Sequence, residues 1–157
     1  MADEQRKDHA VVKIHPPILT LIHMAVVFLL GRFIPFPINV PGLLQPIGLV
    51  LGVVGLFLSA GAAWEFGKAH TTLDPHGTVT SLVTSGIYGF SRNPIYLGFV
   101  LMVIGIPLYL ANYWGVIISP FLIILFNRLV IQHEEIYLVE KFQEAYASYK
   151  SRVRRWL

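Results

Sequence analysis

The chain of 157 residues has no cysteine, which excludes a disulfide framework, a thiolate zinc site and a thiol nucleophile. It is also short of charge. Asp, Glu, Lys and Arg make up only 13% of residues, against about 25% in soluble domains. Missing as well are a nucleotide-binding glycine fingerprint, an H-E-x-x-H pair, a nucleophile-elbow serine and any internal repeat, so hydrolysis has little support. The six histidines show no metal-ligand spacing, and no metal site is expected. What abounds is apolar sequence, 55% of the chain. A bilayer-spanning helix takes about 20 apolar residues, so that stock supplies about four spans and leaves little for a separate soluble domain.

The run from Pro17 to Ile34 is too long for the apolar part of a signal peptide. The Pro35-Phe36-Pro37 break after it lacks a cleavage pattern, so it reads as a retained first span, 17–34. The second span is 43–66, where Gly48, Gly52, Gly55 and Ser59 share one helix face and would let another helix approach closely. The apolar run from Ile95 to Ile131 is too long for one crossing and is interrupted only around Pro107 to Asn112. It reads as a tight hairpin of spans 95–110 and 113–131, with Tyr109, Tyr113 and Trp114 in an interfacial aromatic belt.

Basic residues alternate with these spans. Arg6, Lys7 and Lys13 precede the first, Lys68 and Arg92 follow the second, and Lys141, Lys150, Arg152, Arg154 and Arg155 follow the fourth; the other connections carry none beyond Arg32. The positive-inside rule then puts both termini in the cytoplasm. So few basic residues beside a span suit a membrane surface rather than nucleic acid. The expected fold is an all-α integral membrane bundle of about four transmembrane helices, one domain over 1–157, ending in a cytoplasmic amphipathic helix. In that last helix Ile131, Leu138, Phe142, Ala145 and Tyr149 form an apolar stripe opposite Glu140, Gln143, Glu144, Ala147 and Lys150.

The polar chemistry gathers in two cytoplasmic segments. The first, Lys68 to Tyr96, is too long for an ordinary connection and holds turn signals at Asp74-Pro75-His76-Gly77, Ser85-Gly86 and Asn93-Pro94. The second, Asn127 to Glu135, carries Glu134 and Glu135 at the edges of the apolar stripe. Carboxylates turned toward a membrane bundle need a partner, a cation or a polar ligand, and Arg128 and Arg92 are the available protein partners. His133, beside the acidic pair, is the one histidine suited to chemistry; His9, His15, His23, His70 and His76 read as loop or span residues.

The motifs Leu82-Val83-Thr84-Ser85-Gly86-Ile87-Tyr88 and Arg92-Asn93-Pro94-Ile95-Tyr96-Leu97-Gly98, then Glu134-Glu135 ahead of Phe142, Tyr146 and Tyr149, and finally Arg155-Trp156, stand in fixed order over roughly residues 70–157. Together they resemble the isoprenylcysteine carboxyl methyltransferase and phospholipid methyltransferase superfamily. The first 66 residues are similar only as generic spans.

The resemblance implies an integral-membrane enzyme binding S-adenosylmethionine in a cytoplasm-facing pocket and releasing S-adenosylhomocysteine. It assigns cofactor contacts to Thr80, Ser81, Leu82, Val83, Tyr88, Asn93, Pro94, Ile95, Tyr96 and Glu134. The substrate would be a lipophilic small molecule or a lipid-linked group reached through membrane lipid, with no nucleic acid involved. Three departures matter. Asn93 replaces the family's histidine and cannot carry a positive charge. Gln143 follows Phe142 where the family has glycine, on what reads as a helix surface. Val130 replaces the arginine that holds the substrate carboxylate in prenylcysteine enzymes, and Arg128, nearby, faces another direction on a helix.

The candidate catalytic residues are therefore Glu135, His133 and Arg128. A carboxylate acceptor needs no general base, whereas an amine acceptor, of a phospholipid or a small molecule, needs Glu135 or His133 to take its proton. A rival reading is a non-catalytic membrane binding or assembly protein. A small transporter is disfavoured by the few ionisable residues within the spans.

Overall fold

The computed structural model describes residues 10, 12, 14–36, 41–71 and 79–157. The polar N-terminal segment with Arg6, Lys7, His9 and Lys13, together with Pro37 and the Asp74-Pro75-His76-Gly77 turn, lies outside the described residues. Five helices follow in order: α1 Pro16–Phe33, α2 Leu44–Lys68, α3 Pro94–Tyr109, α4 Trp114–Phe126 and α5 Gln132–Arg152, with a 3₁₀ turn at Gly86–Gly89 and a π turn at Asn127–Ile131. The described residues contain no strand.

Prolines place the starts. Pro16 and Pro94 open α1 and α3, where a missing N–H would have had no helical partner. α2 ends in a Schellman turn: His70 takes φ 50°, His70 N–H reaches Gly67 O and Thr71 N–H reaches Phe66 O. The hairpin between α3 and α4 uses the same device. Ala111 takes φ 58°, with Ala111 N–H on Leu108 O and Asn112 N–H on Pro107 O. The expected hairpin is thus present, but Pro107 lies inside α3 and Ala111, not Asn112, adopts the left-handed conformation. Asn112 instead ties the hairpin to α1, its Nδ2 donating to Val27 O at 3.1 Å, while its Oδ1 accepts the Trp114 N–H at 3.0 Å. The aromatic cluster at this end joins Phe36, Tyr113 and Trp114 edge to face, and Trp114 Nε1 donates to Ile34 O.

α2 and α3 form the most extensive helix pair. Gly48, Gly55 and Ser59 of α2 meet Gly98 and Gly105 of α3 with backbone against backbone, and Ser59 Oγ donates to Ile95 O at 3.1 Å. The small-residue face of the second span therefore seats the third. Outward from this pair, Leu49, Val50, Phe57 and Trp64 of α2 and Leu21, Ile22 and Leu29 of α1 are exposed, an apolar surface that water would not tolerate and lipid does. The chain is a multi-pass membrane protein. α1, α2 and the continuous run Trp114–Arg152 are long and apolar enough to cross a membrane. The expected third span is the shorter apolar helix α3, at 16 residues. Its length is about 24 Å at 1.5 Å per residue, less than the roughly 30 Å hydrocarbon core.

The expected C-terminal amphipathic helix is corrected, because the long C-terminal helix is not clearly amphipathic. α4 passes through the π turn into α5 without a break, and the face opposite the stripe is not polar throughout: Ile136 and Val139 are exposed. The stripe is also interrupted at Gln143, whose backbone stands at φ 44°, ψ −118°, although Tyr149 beyond it is buried as expected. Beyond that kink a constant 100° step no longer applies; Ala145 is exposed, and Tyr146 is buried in its place. Gln143 is therefore more than a helix-surface position, because only glycine reaches that backbone conformation without strain. Gln143→Gly is expected to raise stability by about 1 kcal/mol through relief of that strain, read as a higher thermal midpoint in detergent; a lower midpoint would refute the strain.

Candidate active site

The long connection and α5 line a cavity of about 120 Å³, several times the roughly 10–15 Å³ that a single water needs. Phe66 at the end of α2 and the stretch Ser81, Leu82 and Val83 form one wall; Tyr88, Arg92, Asn93, Ile95 and Tyr96 form the next. α5 closes it with Glu134, Glu135, Tyr137, Leu138, Tyr146 and Tyr149.

Each wall is pinned. Ser81 Oγ donates to Ala69 O and Thr80 Oγ to His70 O, fastening the loop to the end of α2. The Val79 N–H donates to Tyr137 Oη at 3.3 Å, and Tyr149 Oη donates to Tyr88 O at 2.8 Å. At the entrance to α3, Tyr96 Oη donates to Glu134 Oε1 at 2.6 Å, with the Tyr96 ring stacked on Phe126. Burial pushes the Glu134 carboxyl up to about 7; the Tyr96 hydrogen bond pulls it back, and the Glu135 charge next to it adds to the rise. Burial also raises the Tyr88 hydroxyl well above its usual range, helped by Tyr149 and Glu134.

Glu135 has the opposite surroundings. Arg155 grips it with Nε on Oε1 at 3.1 Å and Nη2 on Oε2 at 2.7 Å, Arg92 Nη2 stands 3.2 Å from Oε1, and the half-exposed Lys150 stands 3.8 Å from Oε2. Arg155 also draws the chain end back over the site. Its Nη1 donates to Asn127 Oδ1, and its carbonyl accepts Asn93 Nδ2 at 3.0 Å and Ser91 Oγ at 3.4 Å, while the Arg92 N–H donates to Arg154 O. Trp156 packs against the hydrophobic core, which holds this strap in place.

Of the residues expected at the cofactor, Ser81, Leu82, Val83, Tyr88, Asn93, Ile95, Tyr96 and Glu134 are brought to one cavity. Thr80 and Pro94 stand outside the wall, Thr80 exposed and Pro94 buried at the α3 start. Asn93 has spent a side-chain donor on the strap. Among the candidate catalytic residues, Glu135 lines the cavity but its oxygens are held by cations. His133 is half-buried with Nδ1 unpartnered and away from the lining, and Arg128 is exposed. Val130 is fully buried in the core, so no guanidinium occupies that position. Arg92 was expected only as an ion-pair partner. It is the buried guanidinium of the site, its side chain 8% exposed and its Nε without a partner.

Comparison with known proteins finds matches over most of the chain. The family model described as "Phospholipid methyltransferase" covers residues 44–145. The chain belongs to that family. Phospholipid methyltransferase family members use S-adenosylmethionine. Similar curated relatives include the Protein-S-isoprenylcysteine O-methyltransferase of Schizosaccharomyces pombe, 30% identical over 125 residues that make up 78% of this chain and 53% of that protein. The Mus musculus Protein-S-isoprenylcysteine O-methyltransferase is 32% identical over 112 residues, 70% of this chain and 40% of that protein. An uncharacterized protein of Haemophilus influenzae is 41% identical over 66 residues, 40% of this chain and 100% of its own length. The chain spans about half, or less, of the length of the curated methyltransferases it matches. No solved structure matches the chain.

Proposed function

We propose that this chain is an S-adenosylmethionine-dependent membrane methyltransferase acting on a lipophilic acceptor, with both termini on the cytoplasmic side as the placement of Lys and Arg suggests. The observation that carries the reading is a pair of uncommitted polar groups on residues that line a cavity rich in aromatic side chains: the buried Arg92 Nε without a partner and the Glu134 carboxyl, bonded among the described residues only on Oε1.

These groups fit the cofactor. Arg92 Nε is a donor for its carboxylate, Glu134 is an acceptor for its ammonium or ribose hydroxyls, and Phe66, Tyr88 and Tyr96 offer aromatic faces for adenine and for a sulfonium cation. When bound, the cofactor supplies a methyl group on positively charged sulfur, which an acceptor lone pair takes as the carbon–sulfur bond breaks toward sulfur. The protein's share is to hold donor and acceptor in line and to exclude water, an advantage worth up to about 7–11 kcal/mol in favourable geometry. Glu135 acts here as a positioning residue: by gripping Arg92 and Arg155 it fixes the wall that carries the free Arg92 Nε.

A second reading, an amine acceptor on a phospholipid or small molecule, is favoured by Val130. Without the arginine that pairs with a carboxylate substrate, and with Glu135 committed to cations, Glu134 is the lining carboxylate able to accept a proton near neutral pH.

Calorimetry of the purified protein with S-adenosylhomocysteine tests the cofactor site, and transfer of a labelled methyl group to a native membrane extract tests the activity. Binding with no methyl transfer would favour the non-catalytic binding protein; no binding would sink both. Because the Glu134 pKa is raised, the carboxylate acceptor is lost as pH falls through about 7, so affinity should drop toward acid and level off above about pH 8. Glu134→Gln should weaken binding about tenfold or more at the upper plateau, the scale of a hydrogen bond to a charged group, and flatten the pH profile.

A further inference from the structure

The strap that closes the polar site also crosses the boundary of the bundle. Its carbonyls at Arg154 and Arg155 accept from the Arg92 N–H, Asn93 Nδ2 and Ser91 Oγ, just before α3 begins at Pro94. The Arg155 guanidinium reaches Asn127, just after α4 ends at Phe126. The strap therefore lies across the adjacent ends of two apolar helices, where hydrocarbon gives way to headgroups.

The inward side of the strap is spent on Glu135, but its outward side is not. Arg152 and Arg154 are exposed, as is Arg128 next to the Asn127 contact. Among the described residues no carboxylate pairs with any of the three. Arg152 Nε donates to Ser148 O at 3.2 Å, which leaves its two amino groups for a ligand. From Ala145 to Leu157 the sequence has Lys150, Arg152, Arg154 and Arg155 and no Asp or Glu. Glu144, the last exposed carboxylate before them, precedes Arg152 by about 12 Å along the helix at 1.5 Å per residue. That exceeds the screening length of about 10 Å in 0.1 M salt, so Glu144 does little to offset the arginines.

An apolar ring stands beside the same contacts. Phe90, 80% exposed, directly precedes Ser91 and Arg92, which bind the strap. Arginines flanking an exposed aromatic ring at this level match a lipid that offers phosphate above and acyl chain below. A soluble anion would satisfy the arginines and leave the ring in water.

We propose that the strap binds an anionic membrane phospholipid, its phosphate held by Arg152 and Arg154 with Arg128 adding to the field, and its acyl region taking up Phe90. This site needs α3 and α4 in a bilayer but neither the cofactor nor methyl transfer, so it stands or falls apart from the proposed activity.

The test is displacement of dansyl-labelled phosphatidylglycerol from the chain in a neutral detergent, read by energy transfer from its tryptophans, of which Trp156 lies in the strap. Unlabelled phosphatidylglycerol should compete about 25-fold better than phosphatidylcholine of the same acyl chains, about fivefold for each strap arginine. At 1 M salt, where the screening length is about 3 Å, most of that preference should vanish. Arg152→Gln with Arg154→Gln should bring the two lipids within a few fold. Arg32→Gln, at the hairpin end of the bundle, should leave the preference intact. Equal competition by the two lipids, or a preference untouched by the double variant, would overturn the proposal. So would displacement by glycerol 1-phosphate at matching concentration, because the site would then take a free phosphate ester rather than a membrane lipid. The comparison of the two lipids needs only the wild-type protein, so a variant that fails to fold does not shield it.

Discussion

Gly98→Leu is expected to abolish recovery of folded protein from detergent extracts. A Cβ at Gly98 would run into Ser59 Oγ and the Gly55 carbonyl, and would lie 3.0 Å from the Ser59 nitrogen. Two of those three atoms belong to the backbone of α2, which cannot step aside without separating the most extensive helix pair in the molecule. Ordinary overpacking costs about 1–3 kcal/mol, when side chains can shift. Here a leucine would have to push a helix away, breaking the Ser59–Ile95 hydrogen bond and opening the opposed contacts at Gly48 and Gly105. Lipid gives no hydrophobic compensation, because membrane helices associate through close packing rather than through burial from water. Gly98→Ala should already lower the thermal midpoint. Gly67→Ala, with nothing within 4 Å of its Cβ, is the control and should fold normally. Recovery of monodisperse Gly98→Leu protein would refute the close approach of α2 and α3.

Gly98 illustrates what can be read from sequence in this protein and what cannot. The small face of α2, the hairpin after α3 and the acidic pair were all legible, because each is written in residues a few positions apart that a helix brings onto one face. The left-handed residues His70 and Ala111 were not, because a non-glycine residue gives no local sign that it will adopt positive φ, and at Gln143 the sign lay only in the family's glycine. The strap was hidden for a different reason. The bond from Asn93 to the Arg155 carbonyl joins positions 62 apart, and that from Ser91 to the same carbonyl joins positions 64 apart. No periodicity spans such distances. Arg92 showed its charge and its place in the Arg-Asn-Pro motif. Its depth became visible only with the carboxylate that neutralises it.

That neutralisation makes Glu135 the side chain whose loss should cost most within the polar site. Glu135→Ala leaves Arg92, 8% exposed, as an uncompensated buried cation, and breaking a buried ion pair from one side costs about 3–5 kcal/mol. The contribution from Arg155 is smaller than its short distances suggest, since at 32% exposure it can turn to solvent. Lys150, half-exposed and 3.8 Å away, adds little. The geometry consequences run further than the energy. With the Glu135 end of Arg155 released, the hold of its carbonyl on Asn93 and Ser91 loosens, and the chain end from Val153 to Trp156 rests on the Arg92 N–H to Arg154 O bond, the Asn127 contact and the packing of Trp156 against the core. Two measurements separate these effects. The thermal midpoint should fall sharply in Glu135→Ala and recover in part in the double variant Glu135→Leu with Arg92→Leu, where no buried charge remains. Limited proteolysis should cut after Arg152 or Arg154 faster in both. If the double variant is less stable than Glu135→Ala by the full cost of a second independent lesion, then Arg92 is not held by Glu135.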